Sequence, residues 1–263
     1  MSVQLTGSVG YRGRNREADV VAVQAALKAA TQLTLDPALD PGPVDGDSGV
    51  GTEGAIVRFQ RRIGNSRPDG RIDPGGNTLL RLNALLGIGS ILITYPFDRP
   101  TTTPFFGVNA GMRAFGSRRS GGSRAHAGVD FYFPDFTPVL SVADGTVVRG
   151  PYPFYLKTFA VEVDHGAFVA RYGELAPEDT PFVREGERVE RGQQVGRVGI
   201  LLEGRKRLNV PSMMLHFEMY DKTERGDLTR ASGTSGRHTN GVPFLRRRDL
   251  VDPSGFMMRA PLP

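Results

Sequence analysis

The chain has 263 residues, 39% of them hydrophobic and 23% charged, a composition that fits a globular protein of one or two domains with a sizeable core. It has no cysteine, which excludes disulfides, thiolate metal sites and thiol catalysis, so any metal must be held by nitrogen and oxygen. The net charge of +5 favours anionic surfaces, a cell wall or nucleic acid among them.

Residues 1–10 lack the basic start and apolar core of a secretory signal. The longest apolar stretch, residues 85–94, is glycine-broken and too short for a bilayer, so no membrane span is expected. From Glu17 onward apolar residues recur at Val20, Val23, Leu27 and Ala30, the spacing of an amphipathic helix. A turn-rich stretch follows at 36–46. The helical period then resumes at Ala55, Ile56, Phe59 and Ile63, with Thr52 as a suitable N-cap. After Asp69-Gly70 a third helix is predicted to start near residues 74–78 and to carry Leu79, Leu80, Leu82 and Leu85.

Through Asp19-Val-x-x-x-Gln24-x-x-Leu27, Val44-Asp45-Gly46, Thr52-Glu53-x-Ala55-x-x-x-Phe59-Gln60 and Asp69-Gly70 before Thr78-Leu79, this block resembles the small three-helix peptidoglycan-binding domain. The resemblance implies peptidoglycan as a partner. These residues form turns and core, so they speak for the fold before the ligand, and a bundle without a binding role would keep the same pattern. The insertion at 31–43 is longer than such domains usually carry.

Residues 88–104 are rich in proline and threonine and read as an extended linker, which sets a first domain at 1–87 and a second at 105–263. A basic, glycine- and serine-rich stretch at 115–124 leads in, either as a cleft rim or as a plain surface loop. Short apolar runs at 139–142, 145–148, 159–163, 168–172 and 195–198 then alternate with Gly, Pro and Asp turns, an antiparallel β pattern. Asp144-Gly145 and His165-Gly166 read as turns joining consecutive strands, with His165 a turn histidine. The fold class is α+β multidomain, a small three-helix bundle followed by an antiparallel β-sheet domain.

Within the second domain, Arg124-Ala-His126-Ala-Gly-Val-Asp130-Phe puts an imidazole and a carboxylate in a strand-like apolar context, half of a metal site. Met213-Met214-Leu-His216-Phe-Glu218-Met-Tyr220 alternates as a half-buried strand, so Met214, His216 and Glu218 share one face. Together with residues 138–148, Val163-Asp-His-Gly166, Arg171-Tyr-Gly-Glu174-Leu175 and residues 189–196, in this order, these motifs resemble the lysostaphin/LytM-type zinc endopeptidases over roughly residues 105–253. The resemblance implies Zn²⁺ held by His126, Asp130 and His216.

Two departures accompany it. Met214 and Glu174 stand where that family usually has histidines that assist the zinc-activated water. A thioether takes no proton at neutral pH, whereas a carboxylate can, so Glu174 is the candidate base. Two readings stay open: a hydrolase of stem-peptide cross-links that uses Glu174, and a catalytically degenerate wall-binding or regulatory copy. Arg205, Lys206 and Arg207 either meet substrate carboxylates or face solvent, and His238 either sits on the surface or folds in as a further imidazole. The arginines are scattered, and Arg246-Arg247-Arg248 beside Asp249 reads as a solvated face, so nucleic acid is not expected. An exported antibacterial effector, moved by a contact-dependent machine such as type VI secretion and paired with an immunity protein, and a phage lysin both fit a protein made in the cytoplasm and acting at the wall.

Overall fold

A computed structural model describes residues 2–177, 183–204, 206–207, 212–231 and 238–263. The chain divides into two compact units, Met1–Ser90 with Asp221–Asp249, and Ile91–Tyr220 with Leu250–Pro263.

The first unit contains β1 (Val9–Gly10), α1 (Glu17–Thr34), α2 (Val50–Arg62), β2 (Arg71–Ile72) and α3 (Asn77–Gly89). β1 and β2 pair antiparallel. The apolar stripes meet as the spacing requires: Val20, Val23, Leu27, Ala30, Ala55, Ile56, Phe59, Leu79, Leu82 and Leu85 are all buried. Leu80 falls off the stripe and is 52% exposed. Thr52 is not a cap, because α2 begins at Val50 behind Gly49.

Thr52 has another partner. Gln24 of α1 donates through Nε2 to the Thr52 hydroxyl, Asp45 Oδ1 and the Asp47 carbonyl, and its Oε1 accepts from the Asp45 and Gly46 amides. Gln60 of α2 repeats the arrangement one helix later, donating to Asp69, the Arg71 carbonyl and Thr78 while accepting from Gly70 N–H. One buried amide thus ties each Asp-Gly turn to the helix after it. This explains the recurrence of Gln, Asp-Gly and Thr in the sequence, since each turn's orphan backbone groups need a partner.

The second unit is built on β3 (Arg118–Arg119), β4 (Arg124–Ala125), β5 (Val129–Tyr132), β6 (Pro138–Leu140), β7 (Gly145–Pro153), β8 (Phe159–Asp164), β9 (Val169–Leu175), β10 (Arg188–Val189), β11 (Gln194–Arg197), β12 (Gly199–Ile200), β13 (Leu202–Glu203), β14 (Lys206–Arg207) and β15 (Met213–Tyr220). After β15 come β16 (His238–Thr239) and β17 (Val242–Pro243), which pair with each other in the first unit, then β18 (Leu250–Val251) and α4 (Ser254–Arg259). The main sheet runs β10-β7-β8-β9-β15-β12, with β5 and β18 also paired to β15. Every pairing in it is antiparallel.

Some local readings change. His165-Gly166 does close the β8–β9 hairpin, but Asp144-Gly145 closes none, since β6 pairs with β11 instead of β7. Residues 91–104 are packed chain. Tyr95 and Phe97 are buried, Phe97 stacks on Phe133 at 3.9 Å, and the Thr94 amide bonds the Val142 carbonyl at 2.8 Å. In the first unit Arg246 and Arg247 are buried, with Arg247 held by both oxygens of Asp249 at 2.7 and 2.8 Å. Arg81 of α3 meets Asp221 at 2.7 Å and the Arg248 carbonyl at 2.9 Å. Arg246 and Arg247 are therefore held inside this unit, while Arg248 is exposed.

Candidate metal centre

β15 carries the site because it is paired on both edges. His216 lies directly across from Asp130 of β5 on one edge and from Gly173 of β9 on the other. Cross-strand neighbours share a face, so the register alone brings the Asp130 carboxylate beside the His216 ring. His126 reaches the same place from the turn between β4 and β5. Gly128 makes that turn possible, since a Cβ there would stand 2.2 Å from the Phe217 carbonyl oxygen.

The three side chains converge. His126 Nε2, Asp130 Oδ1 and His216 Nδ1 lie 2.9 to 3.0 Å from one another, and all three residues are buried. The outer ring nitrogens fix the tautomers. His126 Nδ1 is 2.9 Å from the Ala114 carbonyl and His216 Nε2 is 2.9 Å from Glu218, so each of these nitrogens carries hydrogen and donates. The inner nitrogens then face a carboxylate oxygen. Such a cluster needs a positive charge at its centre, a metal ion or, in its absence, a proton on His216 donated to Asp130, and two imidazoles with one carboxylate are a zinc donor set. Arg119 of β3 donates to Asp130 Oδ2 at 2.6 Å, leaving Oδ1 to face the histidines.

Glu174 comes to the site through a bulge. Between the Val161–Tyr172 and Phe159–Leu175 pairs β9 carries one residue more than β8, and Glu174 takes the left-handed conformation, φ 61°. Bulges re-aim side chains, and a non-glycine residue at positive φ is a strained arrangement that tends to occur at functional sites. Glu174 is 8% exposed, and its Oε2 is buried with no hydrogen-bond partner among the described residues.

Residues 124–228 match the description "Peptidase family M23", and residues 16–78 match "Putative peptidoglycan binding domain". Over residues 124–228 the chain is thus similar to M23 peptidases. No curated protein matches the chain. Among solved structures the chain is similar to a "putative peptidase M23" from Pseudomonas aeruginosa, at 24% identity over 64% of this chain and 51% of that one, TM-score 0.36. It is similar to the catalytic domain of lysostaphin from Staphylococcus simulans, at 20% identity over 55% of this chain and 88% of that one, TM-score 0.37. A zinc containing peptidase from Vibrio cholerae aligns at 23% identity over 75% of this chain and 46% of that one, TM-score 0.37. The chain thus spans about half the length of the Pseudomonas and Vibrio structures.

The electrostatics of the three-residue cluster suit a cation. Burial works against a charged His216, but hydrogen bonds to Asp130 and Glu218 outweigh it and push the ring up to about 9. Burial also disfavours an ionised Asp130, yet the facing histidines hold it well below the usual carboxylate range. His126 is lowered, chiefly by burial. Burial, with the Asp130 charge second, pushes Glu174 up to about 8.

The remaining sequence candidates fall elsewhere. Met214, buried on β15 two residues before His216, offers no proton acceptor. His165 is spoken for: Nδ1 donates to the Asp144 carbonyl at 3.0 Å and Nε2 accepts from the Tyr172 hydroxyl at 3.2 Å, while burial lowers it to about 4. His238 is exposed on β16 in the first unit. Lys206 is exposed on β14, and Arg205 lies outside the described residues. Sequence reasoning missed Arg119, whose Gly/Ser-rich surroundings give no periodic signal, and Arg171, whose partners only the register reveals.

Proposed function

We propose that the protein is a peptidoglycan hydrolase, a zinc endopeptidase that cleaves stem-peptide cross-links, with His126, Asp130 and His216 holding the metal and Glu174 as the base. The observation that carries this reading is the convergence of His126 Nε2, Asp130 Oδ1 and His216 Nδ1, with the buried Glu174 Oε2 that has no hydrogen-bond partner among the described residues. When bound, zinc supplies Lewis acidity that polarises a peptide carbonyl and lowers the pKa of water. Glu174 takes the proton of the attacking water at Oε2 and returns it to the leaving amine. Arg119 keeps Asp130 turned so that one oxygen faces the histidines. The first unit holds the enzyme on the wall and raises the local concentration of cross-links.

The protein then acts at the cell wall, as an exported antibacterial effector or as a lysin. A neighbouring immunity gene points to the first and a neighbouring holin gene to the second. A second reading, a wall-binding or regulatory protein on the same fold, draws on Met214 standing beside His216 where an imidazole would assist catalysis. Digestion of purified sacculi separates the two. Loss of cross-linked muropeptide dimers with zinc-loaded protein, and none with chelated protein, supports the hydrolase. Intact dimers at one zinc per chain support the binding protein.

A further inference from the structure

A second row of charges crosses the sheet beside the site. Glu162 of β8 and Glu218 of β15 each lie directly across from Arg171 of β9, and all three are buried, Glu218 completely. Arg171 Nη1 donates to Glu218 Oε2 at 3.0 Å, and its Nη2 and Nε donate to Glu162 Oε1 at 2.9 and 3.2 Å. The Tyr220 hydroxyl also donates to Glu218 Oε2, and that of Tyr152 to Glu162 Oε1 at 2.6 Å. The other oxygen of Glu218, Oε1, accepts from His216 Nε2 at 2.9 Å.

Charges buried this deeply persist only when paired and hydrogen-bonded. Two carboxylates around one guanidinium leave the row with a net negative charge, and the group that faces this charge is the His216 ring. A free imidazole could offer either nitrogen to a metal. A carboxylate clamped from behind removes the choice, because only the tautomer with hydrogen on Nε2 satisfies it.

We propose that Arg171 and Glu218 are a positioning pair for the metal: Arg171 and Tyr220 fix Glu218, and Glu218 fixes His216 so that Nδ1 faces His126 and Asp130. This rests on reading the site as a zinc centre. Neither residue is proposed to touch substrate or metal.

The test uses the full-length chain stripped of metal, with zinc affinity measured by chelator competition and the His216 ring followed by ¹⁵N–¹H correlation spectroscopy. Wild-type protein is expected to bind one zinc, with Nδ1 as the ligand and hydrogen on Nε2. Glu218→Gln should lose about 10- to 100-fold in affinity, the usual effect of removing such a partner, and its Nε2–H signal should shift or broaden. Tyr220→Phe, which removes only a hydroxyl, should show a smaller loss in the same direction and decides the matter if Glu218→Gln does not fold. Folded variants with wild-type affinity and unchanged His216 signals would overturn the proposal while leaving the zinc centre intact. Wild-type protein that takes up no zinc would overturn both.

Discussion

His216 of β15 pairs directly with Gly173 of β9, and the residue after that glycine is Glu174. A side chain at 173 would point into the site, but a Cβ there would stand 2.8 Å from the Phe154 ring, which itself stacks on His216 with centroids 6.0 Å apart. The bulge passes this place to Glu174 instead. One backbone irregularity therefore joins the metal row to the candidate base.

Zinc uptake should release protons. His216 is held up to about 9 and Glu174 up to about 8, so at pH 7 both carry protons in the metal-free protein. Binding must displace the His216 proton, and the cation's field favours losing the other. Affinity should rise about tenfold or more per pH unit from pH 6 to 8. Calorimetry in buffers of different ionisation enthalpy should find between one and two protons released by the wild type, and one by Glu174→Gln.

Glu174→Gln should also stabilise the metal-free protein. The folded carboxyl ionises near 8 against an ordinary 4.5, so the folded state holds a proton that the unfolded state has lost. Wild-type stability then falls as pH rises from about 4.5 to 8, and glutamine escapes that cost. Urea unfolding should show the variant gaining by up to about 1.4 kcal/mol per pH unit across this window and no further above it. A gap independent of pH would remove burial as the cause of the Glu174 shift.

Gly128→Ala should cost about 3 kcal/mol or more, because the new Cβ meets the Phe217 carbonyl oxygen at 2.2 Å and backbone cannot give way cheaply. Zinc binding should be lost with it. Denaturant melts of the second unit, read together with zinc stoichiometry, check both outcomes.

Gln60→Ala should destabilise the first unit by about 2–3 kcal/mol, since Asp69, Gly70 and Thr78 lose a shared buried partner. Zinc stoichiometry should stay at the wild-type value while retention on insoluble peptidoglycan falls. Unchanged retention would separate the Asp-Gly turns from wall binding.

Much of this is legible in the sequence. Asp130 and His216 stand out because each interrupts an apolar strand, His126 because it stands four residues before Asp130 in an apolar stretch, and strand alternation placed Glu218 on the His216 face. The helical stripes of the first unit followed from period alone, apart from Leu80, which lies just off the stripe, and Ile63, which is a half-buried C-cap past the end of α2. What local pattern could not reveal was pairing between distant segments. Asp144-Gly145 has the chemistry of a hairpin turn, but β6 found β11. Residues 88–104 have the composition of a linker, yet within them Phe97 stacks on Phe133. The arginine run at 246–248 looked solvated because charge runs usually are, although Asp249, the partner of Arg247, was adjacent in sequence. Register likewise hid the Glu162–Arg171–Glu218 row, and the bulge hid the strain at Glu174.

Cleavage of a cross-linked muropeptide dimer by zinc-loaded wild-type and Glu174→Gln proteins, at matched metal content, decides whether this carboxylate makes the site a hydrolase. Wild-type protein is expected to cut the dimer, and the variant to hold one zinc while turning over about 10²- to 10⁴-fold more slowly. Equal turnover by the two would remove Glu174 from the chemistry, and an uncut dimer with zinc-loaded wild-type protein would leave a binding protein on a peptidase fold.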